Sequence, residues 1–339
     1  MLVLGIETSC DESSAALLRD GEVLLSNVVA SQVDLHSEYG GVVPEVAARA
    51  HLEAIVPVLE EALRVAAERP DLVAVTVGPG LVGSLIVGIS VAKGLAWSWD
   101  VPMVGVNHVE AHAFAPALEG RLPEYPFLAL VVSGGHTLLA EISGIDDIEI
   151  LGQTLDDALG EAYDKVAKYL DLGYPGGPII DRLAAVGNPR AVEFPRAMIS
   201  SGDLNFSLSG LKTAVIRYMM KAGAQAPGIE DIAASFQAAA LEVIVRKTIK
   251  AAEERGLRDV VLGGGVACNT ALRASLADAC EAEGLSLVYP SPVLCTDNAA
   301  MIAALGYRRF QAGYRSGLRQ DVFPNQGTGE PIAGTGKIG

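Results

Sequence analysis

The apolar positions along this chain fall into short runs that recur in the same order twice. Residues 2–6 form an apolar strand pattern, residues 13–19 a second, and Asp20-Gly21 a hairpin signal leading into a third strand over residues 22–30. Pro44 opens a helical pattern to about residue 68, with Val46, Ala50, Ile55, Leu59 and Leu63 inward and a kink expected at Pro57. A buried strand over 72–77, a helix over 85–97, a short strand over 103–106 and a helix over 108–118 complete the first half. The second half repeats this order. Strands are predicted over 127–132, 137–142 and 148–152, then a mainly helical stretch over 156–255. A strand over 259–262, a helix from 267, a strand over 286–289 and a last helix near 297–310 follow.

Such repetition predicts a duplicated α/β unit, with a helical insertion in the second copy at about 156–255. The first lobe is expected over 1–125, completed by the last helix at about 297–320, and the second over 126–296. No linker separates the halves, so a shared cleft is expected. The Gly- and Pro-rich tail, 321–339, is expected to be disordered.

Composition narrows the class. Half of the 339 residues are hydrophobic but only 5% aromatic, so the core should be built from Ala, Val, Leu and Ile. The 37 glycines suit close backbone approaches, as at nucleotide sites. No uncharged apolar stretch of about 18 residues occurs, so a soluble, cytoplasmic protein with no membrane association is expected. Cys10, Cys268, Cys280 and Cys295 include no CxxC pair, which argues against a thiolate zinc site. With 25 basic and 41 acidic residues the net charge is −16, which argues against unaided high-affinity binding of nucleic acid.

Several segments carry candidate chemistry. Gly-rich turns follow strands at 78–84, 133–137, 173–178 and 263–265, and consecutive N–H groups there can form anion-binding nests; none is a Walker A loop. His108 and His112 stand at i and i+4, the spacing for two ligands of one metal, or else an ordinary core or surface pair. The zinc-protease pattern needs a glutamate directly after the first histidine, and Val109 stands there. Asp297 is a candidate third ligand, or else the N-cap of the last helix. Asp157, Glu161 and Asp164 read as one helix face, either a solvated acidic stripe or a carboxylate reaching a ribose or a metal. Glu7, Asp11 and Glu12 crowd the first turn, either as turn formers or as carboxylates that hold Mg²⁺ or orient a nucleophile. Lys212, Arg217 and Lys221, and Arg246, Lys247 and Lys250, form basic faces that could touch phosphates or be merely solvated.

Taken in order, these segments resemble the TsaD family of tRNA threonylcarbamoyltransferases, formerly labelled glycoproteases. The resemblance runs from residue 5 to about 310 and is carried by motifs at 5–12 (GIETSCDE), 36–45 with Arg49 and His51, 78–81, and Asn107-His108 with His112. It continues through 133–137 (SGGHT), 173–178, 206–212, 263–269 and 296–298. Length and the later motifs look like the bacterial branch. The resemblance implies an actin-like ATPase (ASKHA) fold of two RNase H-like lobes. It also implies one Fe²⁺ or Zn²⁺ ion on His108, His112 and Asp297, with Mg²⁺ allowed alongside the nucleotide. Val131, Val132, Ser133, Gly134 and Gly135 would contact the phosphate or carbamoyl region. Asp164, Gly177, Asp181 and Asn269 would hold the adenosine of threonylcarbamoyl-AMP. The implied reaction moves threonylcarbamoyl to N6 of adenosine 37 in tRNAs reading ANN codons and releases AMP, with Asp11 or Glu12 as the base. Implied partners are tRNA and TsaB-like and TsaE-like proteins. A metal-dependent peptidase, a non-catalytic nucleotide-binding scaffold and a sugar kinase or chaperone ATPase of the same superfamily are the rival readings.

Overall fold

The computed structural model describes residues 1–337, which divide into two compact units. The first gathers residues 1–122, 144–148 and the segment from 290 onward. It begins with β1 (Leu2–Glu7), β2 (Glu12–Arg19) and β3 (Val23–Ser31), an antiparallel meander. The β2–β3 turn takes the shape the sequence signals, with Asp20 and Gly21 both at positive φ (54° and 76°). After a short α1 (Val33–Ser37) comes α2 (Pro44–Leu63), then β4 (Leu72–Gly78), α3 (Val82–Trp99), β5 (Met103–Asn107) and α4 (His108–Phe114). The inward face of α2 is offset from the expected one. Ala47, His51, Ile55, Val58, Leu59 and Ala62 are buried, and a histidine therefore stands among apolar neighbours. Its Nδ1 meets Ser13 Oγ at 2.7 Å and its Nε2 meets the Cys10 carbonyl at 2.9 Å.

The second unit, residues 123–143 and 149–289, carries β6 (Phe127–Val132), β7 (Thr137–Gly144) and β8 (Asp147–Gln153). Helices α5 (Leu159–Tyr169), α6 (Gly176–Ala184), α7 (Ser209–Ala222) and α8 (Ile229–Arg255) follow. Then come β9 (Asp259–Gly263), α9 (Thr270–Ala282) and β10 (Ser286–Val288). The chain returns to the first unit through α10 (Pro292–Cys295), α11 (Ala299–Gln311), β11 (Tyr314–Ser316) and β12 (Thr335–Lys337).

The strand orders make the duplication explicit. The core of the first sheet runs β5-β4-β1-β2-β3, and the second runs β10-β9-β6-β7-β8, the same order of first, second and third strands with two crossovers added. In each, the first strand pairs antiparallel with the second and parallel with the fourth. The first sheet is extended by β11 and β12. From 321 to 337 the tail is therefore not the disordered segment its composition suggests; residues 338–339 lie outside the described residues. Residues 335–337 pair in register with β11, Tyr314 facing Lys337, and Gly329 N–H donates to the buried Glu110 carboxylate at 2.9 Å. α3 is long and apolar enough to span a membrane, but Leu85, Val87, Ile89 and Ala92 lie in the core of the first unit, and the helix packs on β4 and α2.

Candidate functional site

Three segments of the first unit converge on one point. β5 ends at Asn107, whose Oδ1 accepts from Val109 N (2.9 Å) and Glu110 N (3.2 Å) and so starts α4. His108 and His112 follow one turn apart, their ring centroids 4.8 Å apart and nearly perpendicular. Asp297 arrives from the turn before α11. Of the two roles open to it, the cap belongs to Asn298, which accepts from Met301 N and donates to the Thr296 carbonyl. Asp297 is left to face the histidines, its Oδ1 3.5 Å from His108 Nε2 and 3.2 Å from His112 Nε2.

The donor set fits a metal ion. Two ligands about 2.0–2.1 Å from a tetrahedral ion lie about 3.3 Å apart, close to both His–Asp distances. The three donor atoms all lie within 4.8 Å of one another. Both ring nitrogens of His112 are buried with no hydrogen-bond partner among the described residues, and its Nε2 lies 3.2 Å from Asp297 Oδ1. Such an orphaned pair of nitrogens is costly unless a ligand supplies the missing partner. The imidazoles are also electrostatically split. Burial opposes charge on both. Asp297 and Glu7 nevertheless push His108 up to about 9, while His112, with His108 adding to its burial, is held below its ordinary value.

Asp11 and Glu12 stand beside this group. Burial, then the charges of Asp297 and Asp11, push Glu12 up to about 10, and Ser31 Oγ donates to it at 3.2 Å. Sequence reasoning grouped Glu7 with Asp11 and Glu12, as turn formers or as carboxylates for Mg²⁺ or a nucleophile, and did not foresee its contact with His108. It is fully buried at the end of β1 and accepts from Ser9 N, from Thr76 Oγ1 at 2.6 Å and from His108 Nδ1 at 2.9 Å. Glu110 turns the other way, paired with Arg309 and Gly329 N.

The residues expected to hold nucleotide lie in the second unit. Val131 and Val132 end β6 with their side chains in the core, so only their backbone can reach a ligand. Ser133 to Gly135 form the β6–β7 turn, closed by Ser133 N–H to the His136 carbonyl at 2.8 Å, and a Cβ at Gly134 or Gly135 would meet open space. The turn after β9 approaches so closely that a Cβ on Gly264 (φ +93°) would sit 2.2 Å from the Val132 carbonyl. Asp164 accepts from Gly176 N at 2.7 Å, and Gly177 is open.

Asp181 Oδ2 accepts from both Thr270 N and Oγ1 at 2.9 Å, while its Oδ1 is buried with no partner among the described residues. Asn269 caps α9 through Leu272 N and donates to Gln237 Oε1 at 2.9 Å; Tyr163 O–H donates to the same oxygen. Asp181, Thr270 and Gln237 border a cavity of about 530 Å³ whose other walls include Ala184, Ala234, Ala238 and Leu241. Thr270 and Gln237 escaped the sequence reading. Gln237 left one trace, a lone amide within the alanine-rich buried face of α8.

Three expected features are corrected. Asp157 is not on a helical stripe, because α5 starts at Leu159; it pairs with Lys165 (2.6 Å) and Lys212 (2.7 Å). Lys212 is thereby tied to a carboxylate rather than presented to phosphate. Lys247 is buried rather than exposed, its ammonium held by the Asp203 and Asn205 carbonyls and Ser201 Oγ.

Residues 23–304 match the family described as TsaD, tRNA N6-adenosine threonylcarbamoyltransferase. Proteins of that name from Symbiobacterium thermophilum and Geobacter sulfurreducens are 54% and 55% identical, over 97% and 96% of both chains. Among solved structures, HypF of T. kodakarensis matches with a TM-score of 0.61 at 16% identity, covering 92% of this chain and 48% of that one. Component A of the Acidaminococcus fermentans (R)-2-hydroxyglutaryl-CoA dehydratase matches at 0.56 and 16%, covering 91% and 98%. At that identity the two structures speak for the fold, which is the actin-like ATPase fold. The close relatives and the matched segment speak for more: this chain is a member of the TsaD, tRNA N6-adenosine threonylcarbamoyltransferase, family.

Proposed function

We propose that this protein transfers the threonylcarbamoyl group of threonylcarbamoyl-AMP to N6 of adenosine 37 in tRNAs that read ANN codons. The observation that carries the reading is the convergence of His108, His112 and Asp297 in a chain of this family. Those residues hold one Fe²⁺ or Zn²⁺ ion; two imidazoles and a carboxylate with open positions suit either metal. When bound, the ion supplies Lewis-acid stabilisation of the charge that grows on the carbonyl oxygen.

The chain's own residues do the rest. Asp164, Gly177, Asp181 and Asn269 hold the adenosine of the donor; the unpartnered Asp181 oxygen beside an alanine-walled cavity supports this role. Backbone N–H groups of the 133–135 turn hold the phosphate. The tRNA N6 attacks the carbamoyl carbon, the bond to the phosphate oxygen breaks, and AMP leaves with that electron pair. The proton lost from N6 passes to Asp11 rather than to Glu12, the other candidate base, which burial and the charges of Asp297 and Asp11 keep protonated near neutral pH.

A net charge of −16 and the engagement of Lys212 and Lys247 inside the protein support a need for partners in holding tRNA. Leu52 and Val56 on α2, with Ile86 and Trp97 on α3, are exposed apolar residues on two packed helices and support docking of a TsaB-like protein. A TsaE-like ATPase completes the set, in the cytoplasm. The peptidase reading is disfavoured because Glu110, the carboxylate nearest in sequence, is committed to Arg309. Purified protein with these partners, threonylcarbamoyl-AMP and tRNA should give modified adenosine and AMP. Cleavage of a glycoprotein, with no modified tRNA, would favour the peptidase.

A further inference from the structure

We propose that Glu7 is a positioning residue that fixes His108 in the tautomer able to bind a metal through Nε2. The inference rests on the reading of His108, His112 and Asp297 as the ligand set. A carboxylate at the end of a central strand, with no exposure to solvent, is costly unless every oxygen is used. Both oxygens of Glu7 are used. Oε1 accepts from the backbone N–H of Ser9, and Oε2 accepts from Thr76 Oγ1 (2.6 Å) and faces His108 Nδ1 (2.9 Å). An ionised carboxylate only accepts, so Nδ1 keeps its proton, and Nε2, which points to Asp297, is the nitrogen left to offer a lone pair when a metal displaces its own proton. His112 has no such support, since its Nδ1 has no hydrogen-bond partner among the described residues. The two histidines are thus unequal, and His108 is the oriented one.

The same contacts explain why the residue is an acid rather than an amide. The Ser9 N–H cannot reverse its polarity, so a glutamine here would turn its oxygen toward Ser9 and its NH₂ toward Thr76 and His108. Thr76 could rotate its hydroxyl and accept. His108 Nδ1, which also lies 3.2 Å from Ser9 Oγ, would then face a donor where the carboxylate accepted, which favours the ring proton on Nε2 and blocks the ligand position. Outer partners of metal-bound histidines of this kind are worth about 10–100-fold in metal affinity.

The test uses the full-length protein and Zn²⁺ or Co²⁺ alone, with affinity measured by competition against a chromophoric chelator. Wild type should bind one ion, His112→Ala should lose it, and Glu7→Gln should bind about 10–100-fold more weakly with an altered Co²⁺ absorption spectrum. A second measurement needs no variant: ¹⁵N-histidine NMR of zinc-loaded wild type should show His108 bound through Nε2 with a proton on Nδ1. Wild-type affinity and spectrum in a folded Glu7→Gln, or His108 bound through Nδ1, would overturn the inference while leaving the ligand set intact. No ion in wild type, or an undiminished one in His112→Ala, would overturn the ligand set and the inference with it.

Discussion

Replacing Gly5 by alanine tests whether the packing of β1 on α11 sets the metal site. A Cβ built on Gly5 would lie 2.1 Å from the Ala299 carbonyl oxygen and 3.0 Å from both the Cβ and the backbone N of Ala303. Contacts under 3.0 Å are not tolerated, so the first turn of α11 must move by about 1 Å. Ala299 is two residues beyond Asp297, whose oxygen now lies 3.2 and 3.5 Å from the two imidazole nitrogens. Forced overpacking of this kind costs about 1–3 kcal/mol, and a displacement of about 1 Å at a reacting centre costs about 100-fold in rate. Gly5→Ala should therefore lower the urea midpoint and weaken zinc binding at least tenfold, in a protein whose circular dichroism stays native. Denaturation and chelator competition on the same preparation measure both. A Gly5→Ala protein as stable as wild type, with the same zinc affinity, would refute the argument that β1 positions α11.

Other residues make independent predictions. Asp181→Ala should weaken AMP binding about 10–100-fold by calorimetry, the value of one or two hydrogen bonds to a charged group; unchanged affinity would remove Asp181 from the adenosine site. Lys247→Met leaves the Asp203 and Asn205 carbonyls without their donor and should cost about 2 kcal/mol or more in urea unfolding. Asp156 is held at about 2, because hydrogen bonds from Ser207, Leu208 and Ser209 outweigh its desolvation. Its contribution is therefore full above its unfolded value of 3.8 and is lost as pH falls toward 2. Asp156→Asn should be less stable than wild type at pH 6, with the gap narrowing at pH 3. Val56→Asp combined with Ile86→Asp should abolish co-elution with a TsaB-like partner while the isolated protein keeps its ion; persistent co-elution would move the docking surface elsewhere.

What could be read from the sequence was what local chemistry decides. The Asp20-Gly21 hairpin, the histidine pair at one helical turn and the doubled strand order all follow from neighbours in the chain, and all three stand in the fold. Asp297 was ambiguous because a carboxylate before a helix is also a cap; Asn298 taking that place decides it. Glu7 was read only as one of three first-turn carboxylates, because its partners Thr76 and His108 lie 69 and 101 residues away. Asp157 was misread because α5 begins two residues after it, so a spacing that looks helical crosses a turn. The tail was misread because its order comes from pairing with β11 and from Glu110, not from its own composition.

The central claim, that one ion on His108, His112 and Asp297 serves transfer to tRNA, is tested by a single paired assay. Wild type and Asp297→Ala are reconstituted with partners, tRNA and threonylcarbamoyl-AMP carrying a labelled threonine, and bound metal is quantified in each. Wild type should carry about one ion and release one AMP per label fixed in tRNA, and Asp297→Ala should show neither metal nor label. Full labelling by an Asp297→Ala protein without metal, or none by metal-loaded wild type, would contradict the account.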